Sequence, residues 1–354
     1  MNTLTISHLV GSSEYRAIAD DTLKDEDNAA WIVELDPEIR KEWVERIRWI
    51  RLADRLAESE LFNAERSEFQ WFYDSWRWLR ETGQVQPGCS HAKVFYQIRD
   101  RWFSDFSDPT THLCIRSWDQ YLKALVKYHK KHLVINSFHD FEEMLEQLAA
   151  PFFQVLPFLS EHQWQAAGQF GAIDQFYNNL RDLREDAEQG ICYLPTELLD
   201  RFGVSREEVL TLRATENLGY RPMMEFWVHD YLPQLYRKTY PFILSPDLHP
   251  SWQMLRDWSL HRYQRIERVF RRCDYDYLRF PKLYWRDVKK DLALLLPEVS
   301  AQTSMQTGHT PSNRVSRWGR SSKLFQISQL PRSSEEPKTR QPFNLPSIYT
   351  YTAG

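Results

Sequence analysis

The chain has 354 residues, 45 Lys and Arg against 49 Asp and Glu, and a formal charge of −4, a balance that gives no reason to expect nucleic acid as a partner. It holds only 11 glycines while 14% of its residues are aromatic. That composition favours long helices around bulky apolar side chains over a Gly-rich nucleotide-binding α/β fold, and neither a GxGxxG nor a P-loop sequence occurs.

Residues 1–27 are polar and read as an arm, with no charged head and apolar run of the signal-peptide kind. Residues 37–62 contain no internal Gly or Pro, start on Pro37 and read as a helix. Trp43, Ile47 and Ile50 recur along it at helical spacing, and the stripe continues onto Asp54, with Glu58 one turn further and Arg51 nearly one turn before. A carboxylate on the apolar side of a helix is costly unless paired, hydrated or metal-bound. Further helices are expected over 65–82, 117–132, 138–149, 161–188, 205–215, 220–239 and 250–272, with breaks or bends at Pro151, Pro157, Pro195, Pro222, Pro233 and Pro241. His129 and His132 flank Lys130 and Lys131, with His139 nearby; no third ligand follows at a matching spacing, and they read as surface histidines.

The helix at 161–188 carries the densest chemistry. Gln175, Asn178, Asp182 and Asp186 are three, four and four residues apart and form one stripe. Gly190 and then Tyr193-Leu194-Pro195 should end the helix. Two carboxylates one turn apart, with amides in line, suit a hard divalent cation such as Mg²⁺, which in turn holds phosphate oxygens. A solvated helix face carries the same residue types, so the distinguishing observation is whether the stripe faces a cavity. Beyond Pro297 the sequence is rich in Ser, Thr, Gln and Pro, with seven Lys or Arg against two Glu from residue 301 onward. It reads as a disordered tail, 298–354, with weak attraction to anionic lipid headgroups as its functional option.

These motifs resemble the squalene/phytoene synthase family over most of the chain, from about Asn28 to Leu296. The match is long at Gln175, Asn178, Arg181, Asp182, Glu185, Asp186, Gly190, Tyr193, Leu194 and Pro195, and shorter at Arg51-Leu-Ala-Asp54-Arg55-Leu-Ala-Glu58. Tyr263 and the Arg271-to-Asp276 segment resemble later parts of the family pattern. The resemblance implies an all-α, terpenoid-synthase-like domain over 28–297 with a central cavity. It implies Mg²⁺-dependent head-to-head joining of two prenyl diphosphates, farnesyl or geranylgeranyl, to a squalene-like or phytoene-like product. Metal ligands would be Asp54, Glu58, Asp182 and Asp186. Arg51 and Arg181 would contact phosphate, Gln175 and Asn178 would orient substrate or water, and Tyr263 would line the wall near the reacting carbons. NADPH use is left open, since no nucleotide motif is visible.

The sequence departs from the pattern at Arg55, where Asp is expected, at Glu58, where Asp is expected, and at Ile47, Ile191 and 128–138. If Arg55 weakens metal binding, Arg55→Asp should raise activity. Two other readings therefore stand beside the synthase. One is a non-catalytic homologue that binds isoprenoids, regulates or assists assembly. The other is an enzyme that ionises one prenyl diphosphate without coupling. Cys89, Cys114, Cys192 and Cys273 form no C-x-x-C pair and read as buried free thiols of a reducing compartment, the cytoplasm. No apolar run approaches the roughly 18–20 residues a bilayer span needs, which leaves peripheral contact with an anionic membrane. The oligomeric state is unreadable.

Overall fold

A computed structural model describes residues 21–62, 67–104, 110–130 and 132–295. The expected tail lies outside them, as do residues 1–20. Every regular element among the described residues is helical. In chain order these are α1 (Asp21–Ala29), a 3₁₀ turn (Ala30–Glu34), α2 (Pro37–Phe62), α3 (Glu68–Thr82), α4 (Ala92–Trp102), α5 (Thr111–Tyr128), α6 (Phe138–Val155), α7 (Glu161–Arg181) and α8 (Leu183–Glu188). They continue as α9 (Thr196–Phe202), α10 (Arg206–Leu210), α11 (Tyr220–Phe226), a π turn (Trp227–Tyr231), α12 (Leu232–Ile243), α13 (Pro250–Arg272) and α14 (Phe280–Leu295). No described helix is long and apolar enough to cross a membrane.

Aromatic side chains join these helices. Trp49 of α2, Trp76 of α3, Trp102 of α4 and Trp118 of α5 meet edge to face, with ring centroids 5.4–6.5 Å apart. Trp43 sits between Trp31 and Trp252, 5.0 Å from each. Each such ring removes about 150–250 Å² from water, an upper bound of about 4–6 kcal/mol per residue.

α6 packs between α5 and α7. It starts with a reciprocal cap: Ser137 Oγ accepts from the Asp140 N–H and Asp140 Oδ2 accepts from the Ser137 N–H, both at 3.1 Å. The break expected at Pro151 does not occur, and α6 runs through it to Val155. Pro151 lies in the last turns, where its missing N–H costs one ladder bond, and buried neighbours such as Met144, Leu145 and Phe153 hold the helix in place. Two glycines set the α6–α7 spacing. A Cβ on Gly171 would stand 2.6 Å from the Ala149 carbonyl oxygen and 2.8 Å from the Phe153 ring; one on Gly168 would meet Ala150 Cβ at 3.0 Å.

Pro222 sits in the first turn of α11, which leaves its N–H unused, and Pro233 follows directly on the π turn, a local irregularity in a stretch that stays helical. The expected 205–215 helix shrinks to α10 and a 3₁₀ turn at Ala214–Glu216. Cys114, Cys192 and Cys273 are buried free thiols, whereas Cys89 is half-buried.

The polar arm reading is corrected at its end, since residues 21–27 belong to α1. Polarity there serves a buried network, not solvation. Asp27 is fully buried and accepts from Arg265 Nη1 and from the Tyr284 hydroxyl at 2.5 Å. Arg265 Nε also donates to Asp291 at 2.8 Å, and the Trp258 indole donates to the Asp27 carbonyl at 2.6 Å. α1 is thereby fixed to α13 and α14.

Candidate active site

A cavity of about 320 Å³ opens among α1, α2, α5, α6, α7, α8 and α13. On α2, Trp43 and Ile50 face the core at zero exposure, which turns Ile47 and Asp54, seven residues apart, onto the cavity wall together with Arg51 and Glu58. Arg55 is buried and does not line the cavity.

The second acidic wall does not come from one helix. α7 stops at Arg181, Asp182 has φ −95° and ψ 6°, and α8 restarts at Leu183. The Asp186 N–H still bonds to the Asp182 carbonyl at 2.8 Å, so the break re-aims the stripe without ending it. α8 then closes where the sequence predicts. Gly190 has φ 78°, its N–H reaches the Ala187 carbonyl at 3.0 Å, and the Ile191 N–H reaches the Asp186 carbonyl at 2.8 Å. Gln175, Asn178, Arg181, Asp182, Glu185 and Asp186 all line the cavity.

Protein cations already lie against both walls. Arg181 grips both oxygens of Asp182, at 2.9 and 2.7 Å, and donates its remaining Nη1 to Asn28 at 3.0 Å. Lys24 Nζ stands 2.6 Å from Glu185 and 3.6 Å from Asp182. Arg51 spans Asp25 at 3.1 Å and Asp54 at 3.8 Å. Burial pushes the Asp182 carboxyl up, but the Arg181 and Lys24 charges outweigh it and hold Asp182 below the usual carboxylate range. At Asp186 the same two cations compensate too little: burial, then the neighbouring Asp182 charge, push its pKa well above normal. Burial would lower the Lys24 ammonium, yet Asp182 and Glu185 raise it overall.

Tyr263 is not among the lining residues. It is fully buried, donates its hydroxyl to Asp174 at 2.6 Å and stacks on Tyr177 at 4.2 Å. Its expected place on the wall is taken by Asp174, which also accepts from Asn178 at 3.1 Å and from Arg262. Gln175 donates to Asn179 at 2.8 Å. The surface reading of His129 is corrected too, since it lines the cavity within electrostatic reach of Asp54. Sequence reasoning missed Lys24, Asp25, Asn28, Asp174 and Arg262. Asp174 carried a usable signal, because it lies four residues before Asn178 and eight before Asp182, on the same stripe.

Among the described residues, no three His, Cys, Asp or Glu side chains come together as a ready-made metal cage. Mg²⁺ does not require one, because it commonly takes one or two carboxylates and completes its shell with phosphate oxygens and water. Seven carboxylates and four Lys or Arg line this cavity, a formal balance of −3. An anionic ligand enters such a site only with added cations, so the oxygen-donor set fits Mg²⁺. Trp31, Ile47, Phe152, Phe153, Leu156 and Leu255 form an apolar stretch of the wall.

The chain is similar to a dehydrosqualene synthase solved with a ligand, at a TM-score of 0.54 and 15% identity over 82% of this chain and 97% of that one, which concerns the fold. The squalene synthase HpnC from Alicyclobacillus acidocaldarius matches at a TM-score of 0.40 and 17% identity, over 70% and 99% of the two chains. No curated protein matches by sequence. The family model for squalene/phytoene synthase matches residues 22–289, a span that starts within α1 and ends within α14. An all-α chain matched from the Lys24 helix to the last described one therefore belongs to the squalene/phytoene synthase family, whose reaction is head-to-head prenyl transfer.

Proposed function

We propose that this protein condenses two prenyl diphosphates, farnesyl or geranylgeranyl, head to head in the cavity between α2 and α7–α8. One observation carries the reading: acidic side chains of α2 and of the α7–α8 segment line a single cavity that also has an apolar stretch of wall. Mg²⁺, held by Asp54 and Glu58 on one wall and by Asp182 and Asp186 on the other, would supply charge neutralisation for the departing diphosphate. Arg51 and Arg181 offer planar, multi-donor contacts to phosphate oxygens at the cavity wall. Asn178 and Gln175 are held by Asp174 and Asn179, which fixes their amides for orienting ligand oxygens or water. Phe152, Phe153 and Trp31 keep the tail region dry and offer negative π-faces to an allylic cation. Tyr263 acts through Asp174, as a positioning residue for Asn178 and Arg262.

A second reading, an isoprenoid-binding homologue without turnover, draws on the two-point hold of Arg181 on Asp182. Incubation of purified protein with labelled farnesyl or geranylgeranyl diphosphate and Mg²⁺ decides between them. Formation of the coupled hydrocarbon or its diphosphate precursor supports the synthase. Tight prenyl binding without pyrophosphate release supports the second reading. Pyrophosphate release without a coupled product means ionisation of a single substrate.

A further inference from the structure

His129 caps the C-terminal end of α5, its backbone N–H bonded to the Leu125 carbonyl at 3.0 Å. This brings His129 to the cavity wall, within electrostatic reach of Asp54. The two ring nitrogens are not equivalent. Nδ1 is buried and has no hydrogen-bond partner among the described residues. A buried N–H without a partner is rarer than a buried lone pair without one. A neutral imidazole carries one proton, so the arrangement that wastes least leaves Nδ1 as the bare lone pair and puts the proton on Nε2. Nε2 lies on the ring edge away from the buried Nδ1, and His129 lines the cavity.

We propose that His129 is a ligand-binding residue: its Nε2–H donates a hydrogen bond to a non-bridging oxygen of a diphosphate held on the Asp54–Glu58 side. The proposal rests on the functional reading above in that it takes the ligand to be a diphosphate. The α2 wall needs such a donor. Its carboxylates offer no hydrogen to an oxyanion, and Arg51 divides its donors between the phosphate and its ion pairs with Asp25 and Asp54. A neutral N–H supplies a contact without the desolvation cost of another buried cation. It also discriminates by chemistry, because a hydrocarbon tail cannot satisfy it.

The test uses the full chain and inorganic pyrophosphate with Mg²⁺, followed by titration calorimetry. His129→Gln places an amide N–H close to the Nε2 position and should keep affinity within about threefold, whereas His129→Leu should lose about tenfold or more, as expected for a hydrogen bond to a charged group. In the unsubstituted chain, the ¹⁵N resonance of His129 Nε2, assigned by its absence from His129→Gln, should move when pyrophosphate is added. That readout does not depend on how the leucine variant folds. An unmoved resonance, or affinity that is the same in the leucine variant, overturns the proposal, as does equal loss in both variants. Failure of the unsubstituted chain to bind pyrophosphate overturns the functional reading and this inference together. Binding that ignores position 129 overturns this inference alone.

Discussion

The two acidic walls of the cavity are built differently. The α2 wall is one face of an uninterrupted helix, with Ile47, Arg51, Asp54 and Glu58 in order along it. The α7–α8 wall depends on a break at Asp182 and on Lys24, which arrives from another helix. The first wall is sparse in acids and has one guanidinium between two carboxylates. The second is dense, with Asp182 held ionised by Arg181 while Asp186 is driven toward its protonated form. The difference comes from burial and from where Arg181 and Lys24 stand. Two neighbouring carboxylates thereby receive opposite electrostatic settings.

Substitutions can break this contrast. Asp182→Asn should lower Mg²⁺-dependent turnover by at least about 10²–10³-fold, the scale of losing a group aimed at developing charge. It should also cost about 1–3 kcal/mol of stability, read by denaturant unfolding, because Arg181 loses a charged two-point partner. The depressed Asp182 pKa means that its stabilisation is present above the unfolded carboxylate range and is lost as pH falls through the folded value. Normal turnover in Asp182→Asn would remove this wall from the chemistry. Asp27→Ala should cost about 3–5 kcal/mol, since Arg265 Nη1 and the Tyr284 hydroxyl would both lose a fully buried acceptor and Arg265 would keep Asp291 alone. Hydrogen exchange should then rise across residues 21–29, and both walls should weaken, because α1 carries Lys24 to one and Asp25 to the other.

Smaller effects sharpen the contrast. Arg55→Asp was expected to restore a ligand and raise activity. Arg55 is buried and off the cavity wall, so the substitution should instead destabilise by about 1–3 kcal/mol and leave Mg²⁺ affinity unimproved. An activity gain would mean that α2 can rotate its acidic face. Mg²⁺ affinity should rise with pH, because Asp186 must shed a proton to act as a ligand; calorimetry in buffers of different ionisation enthalpy should register that proton. Lys24→Met should tighten Mg²⁺ binding by roughly threefold to tenfold by removing a cation that competes for Glu185 and Asp182.

The sequence was most legible where local chemistry decides. The bounds expected for 37–62 and 250–272 coincide with Pro37–Phe62 and Pro250–Arg272, since each opens on a proline and has no internal Gly. Gly190 ends α8 because only a left-handed residue completes that turn without strain. The misses have non-local causes. Asp27 meets Arg265 across 238 residues, so nothing near it distinguishes a core acid from a solvated one. His129 sits beside lysines in sequence, and its position on the cavity wall appears only once α5 and α2 are packed. The break at Asp182 has no Gly or Pro to announce it; the Arg181 clamp on its carboxylate accompanies the departure from helical geometry.

Asn28 accepts hydrogen bonds from both Arg181 and Arg262, so one amide joins the front of the molecule to its acidic centre. A shortened version designed by eye, cut at residue 28 because everything earlier is hydrophilic, would discard Lys24, Asp25 and the counter-charge of Arg265 in one step. Anyone trimming this protein for expression or fusion should therefore keep the start of α1 at Asp21, and can treat that helix as part of the machinery.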